Sequence, residues 1–340
     1  MRRGISPAKR AGLMAHIPGE IGVASLVFIP SLTGFYARSL EVLDWHLKSL
    51  RSTLPQGEIW VWDNGSALEV KRFLQQRLQQ GQIDYLMLSQ YNLGKTGALN
   101  WILAAMPHRY IAFSDGDILF LPGWWEAVQK IFQAFPKAGM VSPAPAFFDV
   151  LRGKSRTASL LKTEGFQVYL DTLSDRDIQL YYQGLGYEIP ENLPTIPLVK
   201  APDGTIACAQ SGHHVFVMPQ EVARAILPLP VDRALSSQNL RVLHERIENL
   251  GYWQLSTAQT FIYHLGNTPL LPSLIKKDIY YIEQLENRKT PASKAIKTHS
   301  KGVKGWILSH FRQAMQHFPR LRKSVERIYN VLFRLLYEDE

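Results

Sequence analysis

Residues 110–125 read Tyr-Ile-Ala-Phe-Ser-Asp-Gly-Asp-Ile-Leu-Phe-Leu-Pro-Gly-Trp-Trp. Tyr110–Phe113 is a short apolar run of the length a buried strand needs. It stops on Ser114-Asp115-Gly116-Asp117, so two carboxylates follow the strand with a glycine between them that eases a tight backbone path. Pro122–Phe135 then reads as a helix with proline at its first turn. Upstream, the same rhythm repeats. Val23–Pro30 is strand-like and closed by proline, and Arg38–Leu50 sets Leu40, Leu43, Leu47 and Leu50 on one helical face. Glu58–Trp62 is a second strand ending in the turn sequence Asp63-Asn64-Gly65-Ser66. Helix Val70–Gln79, strand Ile83–Leu88 and helix Lys95–Ala105 complete the run into Tyr110, and Gly139-Met140-Val141 begins a fifth strand.

Such alternation predicts an α/β fold, a mostly parallel sheet with helices on both faces. Ligands in these sheets bind beyond the carboxyl ends of the strands. Pro30, Asp63, Asn92 and the Asp115–Asp117 pair all follow strand ends, so they are expected on one edge. This convergence carries more weight than any single residue, because an isolated Asp-Gly-Asp is an ordinary turn composition. Hard cations such as Mg2+ and Mn2+ favour carboxylate oxygen and sit between protein and diphosphate. His264, in Tyr263-His264-Leu265-Gly266-Asn267, is a candidate nitrogen ligand, although a lone histidine after an apolar run is more often structural. Trp124 and Trp125 are read either as a sugar-stacking platform or as core. His213 and His214 carry little weight, since neighbours on a strand point to opposite faces.

Downstream of Ser142 the pattern is less regular. Ala144–Gly165 and Tyr182–Thr205 read as loops, Cys208–Met218 as a strand, Pro219–Ile226 and Ser237–Leu250 as helices, and Trp253–Leu265 as short apolar runs. Asn287–Gly305 resembles a linker, and basic amphipathic helices follow at Trp306–Phe318 and Leu321–Tyr337. The expected organisation is a basic tail (1–21), a regular α/β half (22–145), a less regular half (146–270) and a basic helical extension (271–340).

The 340-residue chain has a formal net charge of +9, and its position matters more than its size. Residues 1–10 hold four basic and no acidic side chains, and residues 271–340 hold fourteen basic and seven acidic. The stretch between them is slightly acidic, with twenty basic and twenty-two acidic side chains, which argues against a basic nucleic-acid-binding core. The single cysteine, Cys208, excludes an internal disulfide framework and a CxxC metal site. No run of about 18 apolar residues suggests a membrane span, and Pro18, Gly19, Glu20 and Gly22 break the region where a leader would lie. The expected location is the cytoplasm. The basic C-terminal helices suit either peripheral contact with anionic lipid at the membrane's inner face or a packing or oligomer contact.

Gly94-Lys95-Thr96 supports a rival reading as a P-loop NTPase, with Ser89 where the GxxxxGK[ST] pattern needs glycine and Asp115 as the magnesium-side aspartate. That reading leaves the acidic turn at Asp63 unexplained.

Taken together, four segments resemble the family 2 glycosyltransferases of GT-A fold: Val27-Phe28-Ile29-Pro30, Trp60–Ser66 (WVWDNGS), Asn92–Asn100 (NLGKTGALN) and Phe113–Trp124 (FSDGDILFLPGW). The likeness is clear over residues 22–145 and weaker through 211–224 and 250–267. It implies transfer of a sugar from a UDP- or GDP-sugar to the hydroxyl of a glycan, polysaccharide or lipid-linked acceptor, dependent on Mn2+ or Mg2+, with inversion. It also implies that residues 22–145 form the nucleotide-sugar-binding half and 146–270 the acceptor-binding half, and it implies roles. Asp63 would contact base or ribose, and Pro30, Asn92 and Lys95 would line the nucleotide pocket. Asp115 would face the ribose or a metal water, Asp117 would bind the metal, and His264 would complete the metal site. The departure lies at the general base, where many relatives carry Glu-Asp about eleven or twelve residues before a Gly-Tyr. Here Gly251-Tyr252 is preceded by Gln238-Asn239, and neither amide accepts a proton at neutral pH. Asp232 is the preferred substitute and Glu245, on a solvated helical face, the second. The same departure motivates a further alternative, a catalytically inactive scaffold on this fold.

Overall fold

The computed structural model describes residues 15–146, 156–193, 195–231 and 240–287. Four strands, β1 (Ile21–Val27), β2 (Glu58–Asp63), β3 (Tyr85–Leu88) and β4 (Tyr110–Asp115), pair in parallel in the order β3-β2-β1-β4. Helices α1 (Ser39–Thr53), α2 (Leu68–Gln79) and α3 (Gly94–Ala105) connect them, as parallel pairing requires. After β4 the chain forms the short strand β5 (Ile118–Phe120), helix α4 (Trp124–Ala134) and strand β6 (Ala138–Ser142).

The second half supplies α5 (Thr157–Thr163), β7 (Val168–Asp171), α6 (Asp175–Gly184), β8 (Ile196–Lys200), β9 (Ile206–Cys208), β10 (Val215–Pro219), α7 (Gln220–Ala225), α8 (Leu240–Asn249), β11 (Trp253–Thr257), β12 (Ile262–His264) and α9 (Lys276–Asn287). The sheet extends to ten strands, β3-β2-β1-β4-β10-β6-β11-β9-β8-β7. Only β10, β9 and β7 run against the rest, so the sheet is mainly parallel. β5 and β12 form a separate antiparallel pair, and both lie in the unit formed by residues 18–291.

Strand alternation divides the core into two layers. Val23, Ile59, Val61 and Ala112 face α1, α2 and α4, where they meet Leu43, Leu47, Leu50, Leu74, Trp124 and Val128. Ala24, Trp60, Trp62 and Phe113 face α3, α7 and α8, where they meet Leu99, Ile102, Val222, Leu243 and Ile247. This is the α/β architecture expected above, a sheet with helices on both faces. Trp124 and Trp125 are both core, so neither is a sugar-stacking platform.

The region read as loop is structured. Within Ala144–Gly165 lies α5, and within Tyr182–Thr205 lies β8, both short elements that periodicity does not report. Helix α6 is announced by Ser174, whose Oγ accepts the Asp177 N–H at 3.2 Å as an N-cap. The expected single strand Cys208–Met218 is two strands, β9 and β10, separated by a loop that carries His213 and His214. No helix among the described residues is long and apolar enough to cross a membrane.

Gly22 in β1 sits against the buried His108 ring, which Glu58 holds through a 2.9 Å hydrogen bond. A Cβ at Gly22 would lie 2.4 Å from that ring's Nδ1 and 2.7 Å from Met106 Cε. Gly22→Ala should therefore lower the unfolding free energy by about 1–3 kcal/mol, the usual cost of overpacking. A reduced urea midpoint with unchanged slope would show this, and an unchanged midpoint would mean that the ring gives way freely.

Candidate functional site

The carboxyl ends of β1, β2, β3 and β4 meet on one edge. Val27 of β1 stands beside Asp63, Asp63 beside Leu88, and Leu26 beside Asp115. Asp63 belongs to this edge but faces inward. Its side chain is fully buried, both carboxylate oxygens accept the Ser66 N–H (3.2 and 3.4 Å), and Lys71 Nζ stands 3.8 Å away. It fixes the turn after β2 and presents no open oxygen to a ligand. The next residues link this turn to the start of α3. Asn64 Nδ2 donates to Asn92 Oδ1 (2.8 Å), while Asn64 Oδ1 accepts the Leu93 N–H (2.9 Å). Asn92 Oδ1 also accepts the Gly94 N–H (2.8 Å), closing a clamp at the start of α3. Gly94 adopts φ +70°, a region that a side chain would strain.

The clamp overturns the P-loop reading. A P-loop needs its backbone N–H groups turned toward phosphate, whereas those of Leu93 and Gly94 are taken by asparagine side chains and that of Tyr91 by Ser89 Oγ (3.1 Å). Lys95 in turn grips Asp115, with Nζ 2.7 Å from Oδ1 and 2.8 Å from Oδ2, and donates to the His213 carbonyl at 3.2 Å.

Asp115 and Asp117 lie in unlike surroundings. Burial opposes ionisation of Asp115, yet Lys95 and His214, whose Nδ1 is 3.3 Å from Oδ2, together pull its carboxyl well below the usual carboxylate range. Asp117 is pushed up, chiefly by burial, with Asp115 adding to the rise and His264 opposing it. Its Oδ1 is buried without a hydrogen-bond partner among the described residues. Its Oδ2 lies 3.5 Å from His264 Nε2, too far for a good hydrogen bond. Two ligands at right angles on an ion with bonds of 2.0–2.1 Å are about 3 Å apart, so this pair fits a small hard cation with little adjustment. No group of three or more His, Cys, Asp or Glu side chains converges among the described residues, so further ligands would come from water or phosphate.

The β5–β12 pair brings these two residues together. His264 stands opposite Ile118, and the Leu265 N–H donates to the Asp117 carbonyl at 2.8 Å. α6 backs the pair, with Gly184 so close to His264 that a Cβ there would lie 3.1 Å from its backbone nitrogen. Beside His264 opens a cavity of about 100 Å3, its walls including Tyr181, Leu185, Thr260, His213 and His214.

His213 and His214, set aside in the sequence as strand neighbours, precede β10 in a loop, and their rings lie 4.5 Å apart at the site. Their loop position lets both face it. His213 is held neutral, its pKa lowered to about 3 chiefly by burial. Pro30 is exposed beyond β1 on the same edge. Glu245 is elsewhere, on the solvent face of α8, paired with Arg241 at 2.8 Å. Asp232 lies outside the described residues.

Residues 35–187, a little under half the chain, match the profile of the family described as Glycosyl transferase family 2. No curated protein matches the sequence. Among solved structures, the chain is similar to a mannosyltransferase, PcManGT of Pyrobaculum calidifontis in complex with GDP-Man and Mn2+. The identity is 13%, covering 98% of this chain and 93% of that one, with a TM-score of 0.42. The bifunctional IspDF of Campylobacter jejuni aligns at 10% identity over 70% of this chain and 49% of that one, with a TM-score of 0.37. At such scores neither assigns an activity. The family match shows likeness to the family 2 glycosyltransferases over residues 35–187.

A carboxyl whose folded pKa is raised costs stability while ionised, and the cost vanishes as pH falls through that pKa. Asp117→Asn should therefore melt higher than the metal-free wild type at pH 7, by up to about 2 °C. The gap should close as pH falls toward about 4. Lys95→Met, which strips Asp115 of its main partner, should melt lower. Calorimetry of the three proteins checks the signs, and a lower-melting Asp117→Asn would contradict the reading.

Proposed function

We propose that this chain is a family 2 glycosyltransferase that moves a sugar from a UDP- or GDP-sugar to an acceptor hydroxyl on a glycan, polysaccharide or glycolipid. The proposal includes a divalent cation at Asp117 and His264 and inversion at the reacting carbon. The observation that carries it is the unpartnered, buried Oδ1 of Asp117, on a carboxylate that faces His264 Nε2 across 3.5 Å. Mn2+ or Mg2+, when bound, neutralises charge on the departing diphosphate.

The chain's own residues do the rest. Asn64 and Asn92 hold the loop before α3 in one shape, so the nucleotide end of the donor meets a preformed edge. Lys95 keeps Asp115 ionised and adds a positive charge beside the site of the diphosphate. Asp115, thus fixed, is placed to receive ribose hydroxyls or a metal-bound water, and Pro30 borders the same edge. Asp232 takes the acceptor proton from a segment separate from the cation ligands, as attack opposite the leaving group requires. The basic C-terminal segment suits acceptors carried on an anionic surface.

A panel of UDP- and GDP-sugars with Mn2+, scored by released nucleoside diphosphate, tests this. One donor should be turned over, and Asp117→Ala should lower turnover by about 100-fold or more, as loss of a charge-stabilising group does. Asp232→Asn should lower kcat by about 100-fold or more while metal and nucleotide still bind. Glu245→Gln should stay near wild type. No turnover of any donor, or full activity in Asp117→Ala, would overturn the proposal.

A further inference from the structure

Helix α1 buries three polar side chains in an otherwise aliphatic face. His46, Ser49 and Thr53 lie at intervals of three and four, next to Leu43, Leu47 and Leu50, and none is appreciably exposed. Polar groups in such a place need a reason, and all three point at the chain that follows Asp117. His46 Nδ1 donates to the Ile118 carbonyl at 2.6 Å. Ser49 Oγ accepts the Phe120 N–H at 3.0 Å, and Thr53 Oγ1 accepts the Trp124 indole N–H at 3.2 Å. The donors are fixed by chemistry. A carbonyl only accepts, so the proton of His46 is on Nδ1, and Nε2 accepts from Ser25 Oγ at 2.6 Å. Ser49 and Thr53 spend their own protons on the helix, donating to the carbonyls of His46 (2.9 Å) and Ser49 (2.8 Å).

Strand β5 explains the need. It stands outside the ten-stranded sheet and, among the described residues, has one strand neighbour, β12. Asp117 and Leu121 turn their backbone groups toward the β12 side, bonding Leu265 and Phe261. Ile118 and Phe120 turn theirs the other way, where no strand among the described residues pairs with β5. The α1 side chains take the place of that missing strand. They hold β5, one residue from Asp117, against a fixed helix, and β5 in turn carries His264 through β12.

We propose that His46 and Ser49 are positioning residues for the cation site, setting Asp117 and His264 at the spacing the ion needs. Thr53 anchors the far end of the same ladder. The inference rests on the metal-site reading above. Groups that orient ligands from behind typically alter metal affinity 10- to 100-fold when removed.

The test is Mn2+ titration in the presence of UDP or GDP, read from the electron paramagnetic resonance signal of free Mn2+. Metal-free nucleotide affinity and melting curves are measured beside it. His46→Leu keeps the volume and removes both hydrogen bonds, and should weaken Mn2+ binding by about 10-fold or more. His46→Gln can still donate to Ile118 and accept from Ser25, and should stay within about threefold of wild type. Ser49→Ala should weaken Mn2+ binding by about threefold or more, since it removes one bond of the ladder. Metal-free nucleotide affinity should be unchanged in all three, because the Asn64–Asn92 clamp does not touch α1. A cooperatively melting His46→Leu protein with wild-type Mn2+ affinity overturns the proposal. If that protein does not melt cooperatively, Ser49→Ala decides by the same criterion. Equal loss of metal and metal-free nucleotide binding would also overturn it, as mere disorder. A wild-type protein that binds no Mn2+ overturns the metal-site reading as well, and the two failures are thereby distinguished.

Discussion

Four parallel strands in the order β3-β2-β1-β4 end together, and the register of β4 on β1 determines where everything polar in the site can be. With Leu26 beside Asp115, the chain must reverse within two residues to leave the sheet. Gly116 lies in that reversal, where a Cβ would sit 3.1 Å from the Leu26 carbonyl and 3.3 Å from Val27. Asp115 therefore stays on the sheet, within reach of Lys95 and His214. Asp117 is delivered to the β5–β12 pair, within reach of His264. One glycine thus separates two carboxylates into two environments.

That separation has a chemical consequence. Asp115 is compensated by a lysine at bonding distance, which favours its charged form. Asp117 is desolvated, has one oxygen without a partner among the described residues, and faces an imidazole too distant to satisfy the other. Pairs of like groups pushed apart in pKa mark distinct roles. Here the less satisfied member is the one suited to a cation, because a ligand satisfied internally would have to surrender its partner first.

Much of the architecture was legible from the chain. The strand–helix rhythm through residue 141 and the Asp-Gly-Asp after an apolar run locate the edge and its residues, because fully buried parallel strands and amphipathic helices leave period-specific patterns. The role of Asp63 was less legible. Its position at a strand end is correct, but only the structure shows the carboxylate turned inward onto Ser66. His213 and His214 were misread for a definite reason. Gln210-Ser211-Gly212 inside the run from Cys208 to Met218 is a loop signal that a single strand ignores, and the loop there changes where both rings point. His46, Ser49 and Thr53 left no signal beyond polar residues beside a leucine stripe, since their partner β5 is three residues long. The capping pair Ser174 and Asp177 was a signal available and unread.

The central claim is that a divalent cation sits between Asp117 and His264 while Lys95 remains on Asp115. Anomalous diffraction from crystals grown with Mn2+ and UDP or GDP measures this directly. The account predicts a manganese peak bonded to the Asp117 carboxylate and to His264 Nε2. An ordered nucleotide without that peak, or manganese on Asp115 with Lys95 displaced, would contradict it.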